Sequence, residues 1–210
     1  MTKQIVIGKP FITDAVKAAH PKLEQTLTLI KLAHQTQLYN NRPYWHHPVR
    51  VMLRLGLHNP KPFHVNSPLI YAALLHDTIE DTLLTAEDLQ LFGYSDRTIE
   101  LVQAVTRDKE EQSYKEFIHT IRDSKDFEAT RLKLADLHEN SNCVRFLPVH
   151  KRTVMVRYGK SIEDLMTSSQ VMEAMMKYKL NNFDHFVYPY DLDDGVIGRW
   201  IGETEEQNEH

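Results

Sequence analysis

Apolar side chains recur at three- and four-residue spacing along most of this chain, a pattern that predicts helices. After Pro21, the residues Leu23, Leu27 and Ile30 mark the inner face of a first helix, which the turn-forming residues 39–43 should end. Pro48 then fits the first turn of a second helix.

The segment SPLIYAALLHDTIED, residues 67–81, leaves almost no polar face. We therefore expect one buried, central helix, with Ser67 as its N-cap and Pro68 in its first turn. Thr85 and Asp88 resemble a capping box at the start of the next helix.

Further helices are predicted along the rest of the chain. Gly93 and Ser95 separate one helix from the next, another helix spans about 113–122, and EATRLKLADLHENSN forms an interior helix. A long helix should run from 150 to about 179, with its methionines, among them Met172 and Met176, as adaptable core.

The tail changes character, because HFVYPYDLDDGVIGRW has the alternation and the turn of a β-hairpin. The expected fold is all-α, a helical bundle of about eight or more helices with a small C-terminal β-hairpin. Residues 1–180 form one domain, and 181–210, the hairpin and an acidic tail, belong to it.

Composition excludes several classes of protein. The net charge of −4 argues against broad binding to nucleic acid, which requires a basic face. No apolar run reaches the roughly 18 residues of a membrane span, and the first residues lack the apolar core of a signal peptide. A single cysteine, Cys143, suits a reducing compartment, so we expect a cytoplasmic protein.

The candidate chemistry begins with His76 and Asp77, adjacent residues at the end of the apolar helix. A buried aspartate is costly unless it is paired, hydrogen-bonded or bound to a cation. His47 begins an earlier helix and Asp136 lies on a later apolar one, so the four side chains form a candidate metal site. Taken alone, His76 and Asp77 could also be a structural capping pair, and His46 could replace His47.

Two imidazoles and two carboxylates make a mixed nitrogen and oxygen donor set. Such a set suits Mn²⁺, with Fe²⁺, Zn²⁺ and Co²⁺ as alternatives, better than it suits thiolate-preferring metals. We expect one divalent metal, Mn²⁺ first among these.

Three segments resemble the alarmone hydrolases of the RelA/SpoT type, a branch of the HD superfamily. PYWHHP resembles PYxxHP, ALLHDTIEDT resembles ALLHDxxEDT, and LKLADLHEN resembles KLADRxHN. The resemblance covers about residues 20–170. It implies an HD-domain helical bundle and metal ligation by His47, His76, Asp77 and Asp136.

The resemblance also implies roles for neighbouring residues. Glu80 and Asp81 would position or activate the attacking water, although they could instead be a solvated helix end. Asn140 would contact the substrate. Lys133 is expected to be a surface lysine rather than a phosphate ligand.

The sequence departs from the family where substrate is recognised. LYNNRPY stands in place of RxSGxPY, so Tyr39 falls at the position of the guanine-stacking arginine, and Arg42 could replace that arginine. Leu137 replaces a second arginine, and the His-Asn pair becomes His138-Glu139-Asn140. The metal chemistry therefore transfers better than the substrate.

The sequence predicts an enzyme, a metal-dependent phosphohydrolase acting on a small-molecule nucleotide. The leading hypothesis is 3′-pyrophosphohydrolysis of (p)ppGpp. The alternatives are an HD phosphatase for another nucleotide or a phosphomonoester, and a non-catalytic nucleotide-sensing HD domain. We expect neither nucleic acid nor membrane as a partner. The methionines of the last long helix suggest a homodimer.

Overall fold

The fold is described for residues 14–55, 66–144 and 148–178 of a computed structural model. Helices joined by short connections account for most of these residues. In chain order the elements are α1 (Asp14–Ala19), α2 (Leu23–Ala33), β1 (Leu38–Tyr39), β2 (Arg42–Pro43), α3 (His46–Arg54), α4 (Ser67–Leu75), α5 (Thr78–Asp81), α6 (Ala86–Leu91), α7 (Asp96–Val105), α8 (Tyr114–Asp123), α9 (Phe127–Cys143), α10 (Val154–Met166) and α11 (Ser169–Tyr178).

Helix α4 lies at the centre of the fold and packs against α2, α3, α7 and α9. Its side chains Leu69, Ile70, Leu74 and Leu75 are fully buried. Burying each such side chain contributes about 1.5–3 kcal/mol. The prediction of a buried central helix from the apolar run is confirmed.

The boundaries of this helix differ from the prediction at both ends. The N-cap is Asn66 rather than Ser67, because the Asn66 side-chain oxygen accepts a hydrogen bond from the Leu69 amide at 3.0 Å. At the other end α4 stops at Leu75, and the expected single helix resumes only as the one-turn helix α5. The Thr78 hydroxyl donates to the Leu75 carbonyl at 2.6 Å and so helps to close the end of α4.

Local signals fixed several other boundaries. Thr85 and Asp88 form the predicted capping box of α6, and Ser113 with Glu116 forms another at the start of α8. Gly93 follows α6 with φ of +77°, a left-handed conformation that glycine adopts without steric cost.

Residues 38–43 form a small antiparallel hairpin where the sequence predicted only a turn over 39–43. Asn40 and Asn41 have φ of 53° and 62°, as the two central residues of a type I′ turn require. Tyr39 pairs with Arg42 across this turn. Two-residue strands are too short for an alternating pattern, so no strand signal was present in the sequence. The predicted C-terminal hairpin lies outside the described residues.

The helix predicted from 150 to 179 is two helices. A short 3₁₀ turn, Val149–Lys151, precedes α10, and residues 167–168 separate α10 from α11. Leu165 is buried as expected, but Met172 and Met176 are 46% and 71% exposed. The prediction that these two methionines belong to the core is wrong, because the break turns their side of α11 toward solvent.

None of the helices in the described ranges combines the length and the apolar character needed to cross a membrane.

The first turn of α9 is tied to α7 by a charged cluster. The Arg97 guanidinium donates two hydrogen bonds of 2.8 Å to Asp126, and it also pairs with Glu128. The Asp126 carboxylate caps α9 by accepting from the amides of Glu128 and Ala129. Burial raises the pKa of Asp126, but Arg97 and the capping amides outweigh burial, and the net pKa is lowered.

Replacing Asp126 by asparagine should isolate the ion pair, because asparagine can still cap the helix. The folded-state pKa of Asp126 is depressed, so its contribution is present above the unfolded pKa of about 3.9 and is lost as the pH falls through the folded value. We expect Asp126→Asn to lower the free energy of unfolding at pH 7 by about 1 kcal/mol.

Urea unfolding at pH 7 and at low pH measures this effect. The difference between wild type and variant should shrink in acid, whereas Asp123→Asn, which alters an exposed pair with Arg122, should change little at either pH. An Asp126→Asn deficit that is equally large in acid would contradict the ion-pair account.

Candidate metal centre and the adjoining cavity

The four predicted ligands come from three parts of the fold and meet at one point. His47 is the second residue of α3, His76 and Asp77 form the link between α4 and α5, and Asp136 lies in the middle of α9. The Nε2 atom of His47 is 3.2 Å from Asp136 Oδ1 and 3.5 Å from Asp77 Oδ2. The Nε2 atom of His76 is 3.0 Å from Asp77 Oδ2 and 3.7 Å from Asp136 Oδ1.

The interruption of the helix at residues 76–77 explains how adjacent side chains can face the same point. In a continuous helix, neighbouring side chains diverge by about 100°. Here α4 ends at Leu75 and α5 begins at Thr78, so His76 and Asp77 occupy a helix end and both reach toward Asp136.

A hydrogen bond through Nδ1 fixes the orientation of the His76 ring. Its Nδ1 atom lies 2.8 Å from the carbonyl oxygen of Ala73, so Nδ1 carries the proton and Nε2 points to the carboxylates. Burial lowers the pKa of His76, but the carboxylates of Asp77 and Asp136 outweigh burial and raise the pKa to about 10. The site therefore favours positive charge at this position.

Asp136 is held in place by two hydrogen bonds from its own helix. Lys133 Nζ donates to Asp136 Oδ2 at 2.7 Å, and Asn140 Nδ2 donates to Asp136 Oδ1 at 2.6 Å. Burial raises the pKa of Asp136, whereas Lys133 and the two imidazoles lower it well below its usual range. Lys133 is buried, so the prediction that it is a surface lysine is wrong. Its ammonium group is the partner of Asp136 in the interior.

The donor atoms fit a divalent metal. His47, His76 and Asp136 each offer one ligand atom, and these atoms lie within 4.8 Å of one another in a buried setting. Although Asp77 Oδ2 is close, the Nε2 atom of His76 is buried and makes no hydrogen bond. A buried nitrogen facing two carboxylates is stabilised by a cation between them.

The alternative ligand His46 lies elsewhere. Its ring packs edge-on against Trp45 with a centroid distance of 4.1 Å, and it is not part of the cluster that contains His47. The order of the two histidines along α3 therefore directs only the second one to the candidate site.

A cavity of about 260 Å³ opens beside the cluster. Its walls carry both signs of charge and three aromatic tyrosine rings. The residues that line it are Tyr44, His47, Asp77, Glu80, Arg107, Lys109, Tyr114, Phe117, Lys133, Asp136, Asn140, Arg157 and Tyr158.

Glu80 and Asp81, the predicted catalytic pair, are placed differently. Glu80 lines the cavity, where it accepts a hydrogen bond from the Arg107 amide at 3.1 Å and pairs with Lys109. Asp81 does not line the cavity; its carboxylate is 3.1 Å from the same Lys109. Glu80 is thus beside the candidate metal ligands, and Asp81 contacts this region through Lys109.

The three predicted substrate contacts also lie in different places. Asn140 lines the cavity, while Tyr39 and Arg42 do not. The Tyr39 hydroxyl donates to Asn140 Oδ1 at 2.7 Å, and its ring packs on His47 with a centroid distance of 4.6 Å. Arg42 is exposed on β2. Tyr39 therefore contacts residues of the candidate site without lining the cavity. Its role as a substrate contact stays a prediction, as do those of Asn140 and Arg42.

Sequence reasoning missed the cationic wall of the cavity. The guanidinium groups of Arg107 and Arg157 lie 5.9 Å and 4.6 Å from the ring centre of Tyr114. Within the described ranges, neither guanidinium forms an ion pair with a carboxylate. Arg107 follows α7 and Arg157 lies in α10, so no local motif links them, and only tertiary structure brings them together.

The helical fold is shared with a protein of known structure. A solved structure described as a metazoan ortholog of SpoT that hydrolyses ppGpp matches 76% of this chain and 97% of its own chain, with a TM-score of 0.58 and 23% identity. This match confirms the predicted all-α helical fold.

The resemblance to the RelA/SpoT-type hydrolases is confirmed by sequence relatives. A probable guanosine-3′,5′-bis(diphosphate) 3′-pyrophosphohydrolase of Mycoplasma pneumoniae is 30% identical over 131 residues, 56% of this chain and 17% of the relative. The bifunctional (p)ppGpp synthase/hydrolase SpoT of Escherichia coli K12 is 34% identical over 146 residues, 65% of this chain and 20% of the relative. The chain thus spans about a fifth of the length of these relatives. No protein-family model matches the chain.

Removing the Tyr44 hydroxyl should test whether its hydrogen bond to Asp77 supports metal binding. Tyr44 OH donates to Asp77 Oδ2 at 2.7 Å, and burial together with Asp77 raises the pKa of Tyr44, so the hydroxyl keeps its proton. We expect Tyr44→Phe to weaken Mn²⁺ binding about tenfold, the usual effect of losing an outer-shell partner.

Calorimetric titration with Mn²⁺ measures this change. Tyr94→Phe is the matched control, since the Tyr94 hydroxyl is also buried but donates to Thr26, away from the cluster. Equal Mn²⁺ affinity in Tyr44→Phe and wild type would show that Asp77 needs no such support.

Proposed function

We propose that this protein is a metal-dependent nucleotide phosphohydrolase whose substrate is a guanosine alarmone, (p)ppGpp, from which it removes the 3′ diphosphate. The observation that carries the proposal is the meeting of His47, His76, Asp77 and Asp136 at the edge of a cavity that also contains Glu80. The relatives named as (p)ppGpp hydrolases support the substrate.

His47, His76, Asp77 and Asp136 would hold the metal, for which Mn²⁺ is our first choice. A divalent metal in such a site polarises a phosphoryl oxygen and lowers the pKa of water. Mn²⁺ accepts mixed nitrogen and oxygen donors and leaves positions open for substrate. His47, His76 and Asp136 are buried and Asp77 is half-buried, and all four are anchored on α3, α9 and the α4–α5 link, so the ligand atoms are already in place before substrate arrives.

Glu80 is the residue that takes the proton of the attacking water. Its carboxylate faces the cavity, and the Arg107 amide together with Lys109 fixes its position. A positioned carboxylate that accepts a proton in the transition state contributes typically about 10²–10⁴-fold. Asp81 shares Lys109 with Glu80 and acts by orienting that lysine.

Arg107 and Arg157 neutralise phosphate charge on the far wall. A nucleotide with diphosphates on both its 3′ and 5′ sides carries more negative charge than one metal offsets. Guanidinium groups that are not engaged by protein carboxylates are available to bind phosphate oxygens with charge-assisted hydrogen bonds. Water then attacks phosphorus, the bond to the 3′ oxygen breaks, and GDP and diphosphate are released.

A specific observation favours a second candidate, in which the same chemistry acts on another nucleotide. Tyr39 stands where the resembling family has a guanine-stacking arginine, and its hydroxyl and ring are engaged with Asn140 and His47. Recognition of the base must therefore differ from the family pattern. The non-catalytic sensor is a third candidate, and Glu80 in the cavity argues against it because a sensor needs no proton acceptor there.

Replacing the proton acceptor should separate turnover from binding. We expect purified protein with Mn²⁺ to convert ppGpp to GDP and diphosphate, and chelation to abolish the reaction. Glu80→Gln should lower kcat by about 10²–10⁴-fold without weakening Mn²⁺ binding, because glutamine keeps the shape but cannot accept the proton.

A panel of nucleotides assayed for released phosphate and diphosphate distinguishes the candidates. Turnover of other nucleotides alone would replace the alarmone by a different substrate. Bound Mn²⁺ with no turnover of any nucleotide would favour the sensor.

Truncating Arg157 should test the phosphate-binding wall. We expect Arg157→Ala to raise KM for ppGpp about tenfold or more, which is the loss of a hydrogen bond to a charged group, with a smaller change in kcat. Arg122→Ala, which removes an exposed guanidinium paired with Asp123, is the control and should leave KM unchanged. A KM for Arg157→Ala equal to that of wild type would remove this residue from substrate binding.

A further inference from the structure

Helices α3 and α9 carry their polar side chains along facing stripes. On α3 the stripe is His47, Arg50 and Arg54, and on α9 it begins with Asp136 and Glu139. Residues three, four and seven apart share one face of a helix. His47 faces Asp136, and further along both helices Arg50 and Arg54, about one and two turns after His47, face Glu139, about one turn after Asp136.

The second pairing is a charged cluster in the interior. Arg54 Nε donates to Glu139 Oε2 at 2.5 Å, Arg50 Nε lies 3.7 Å from Glu139 Oε1, and Cys143 Sγ donates to Glu139 Oε1 at 3.3 Å. Glu139 and Arg54 are 2% and 1% exposed. We call Arg50, Arg54 and Glu139 the buried seam.

Stability alone is a weak reason for such a seam. Removing two charges from water costs about as much as their attraction returns, and well-packed apolar residues are often at least as stabilising at such positions. What a buried ion pair does supply is register, because only one axial alignment of the two helices brings both charges together. Glu139 also stands, by direct alignment of LKLADLHEN with KLADRxHN, where the resembling family has histidine.

The register that the seam defines is also the register of the candidate metal ligands. A slip of α3 by one turn would move His47 by ~5.4 Å relative to Asp136. Even a much smaller shift matters, since a functional site needs its groups within about 0.5 Å of the productive geometry.

We propose that Glu139 is a positioning residue: through Arg54 and Arg50 it fixes α3 against α9, and thereby sets His47 and Asp136 at the spacing that binds the metal. The proposal rests on the metal-dependent function proposed above. Glu139 itself touches neither metal nor substrate; it does not line the cavity.

Two variants of the full chain test the proposal by Mn²⁺ titration, each measured well below its own unfolding temperature. In Glu139→Gln the charge is lost and the shape is kept. In the apolar-seam variant, which combines Arg50→Met, Arg54→Met and Glu139→Met, the seam is packed but no longer specifies register, since methionine adapts to irregular space. We expect Mn²⁺ binding to weaken about tenfold or more in both, as for other supports of metal ligands.

Unfolding by urea, measured in parallel, separates positioning from stability. The apolar-seam variant should unfold at a urea concentration close to or above that of wild type and still bind Mn²⁺ weakly. If Glu139→Gln does not fold, the apolar-seam variant by itself tests the positioning role. Arg97→Met is the matched control, because it removes a charge cluster between α7 and α9 that lies far along α9 from Asp136. It should lower stability and leave Mn²⁺ affinity unchanged.

Three results would contradict the positioning role or the proposed function. An apolar-seam variant that binds Mn²⁺ like wild type would overturn the positioning role and leave the proposed function intact. Loss of Mn²⁺ affinity in Arg97→Met equal to that in the seam variants would also overturn it, because the effect would then follow stability. A wild-type protein that binds no divalent metal would instead overturn the proposed function on which this inference rests.

Discussion

The structure depends on one carboxylate that is kept ionised in the interior. Asp136 is buried on α9, where an unpaired charge would cost several kcal/mol. Lys133 and Asn140 hold its oxygens from the same helix, and His47 and His76 approach from two others. Three separate elements thus meet at a single point, and α3, α4 and α9 pack against one another around it.

Two breaks in regular structure make this meeting possible. Ending α4 at Leu75 frees His76 and Asp77 from helical divergence, so that neighbours in sequence become neighbours in the site. The hairpin at residues 38–43 returns the chain so that Tyr39 and Tyr44 pack beside His47. Both breaks lie next to candidate functional residues. Departures from regular local structure are expected at functional sites.

Whether a feature could be predicted depended on whether its cause was local. The apolar run of α4, the capping box at Thr85 and the end of α6 at Gly93 each follow from side chains within a few residues, and each was predicted. The candidate metal ligands were predicted because short motifs mark them. The seam between Arg54 and Glu139 and the position of Arg157 could not be found, because each depends on residues far apart in the chain. The exposure of Met176 depends likewise on a helix break that periodicity did not show.

In the proposed function, the metal chemistry and the phosphate recognition belong to different parts of the fold. The candidate metal ligands lie on buried elements whose positions are fixed by the core, whereas Arg107 follows α7 and Arg157 lies on the exposed side of α10. A change in Arg157 alters the cavity wall without moving Asp136, while a change in the seam would move the ligands themselves. Recognition can therefore diverge while the metal centre stays constant. The chain carries ALLHDTIEDT close to the family pattern, whereas Tyr39, engaged with Asn140, stands where the resembling family has an arginine.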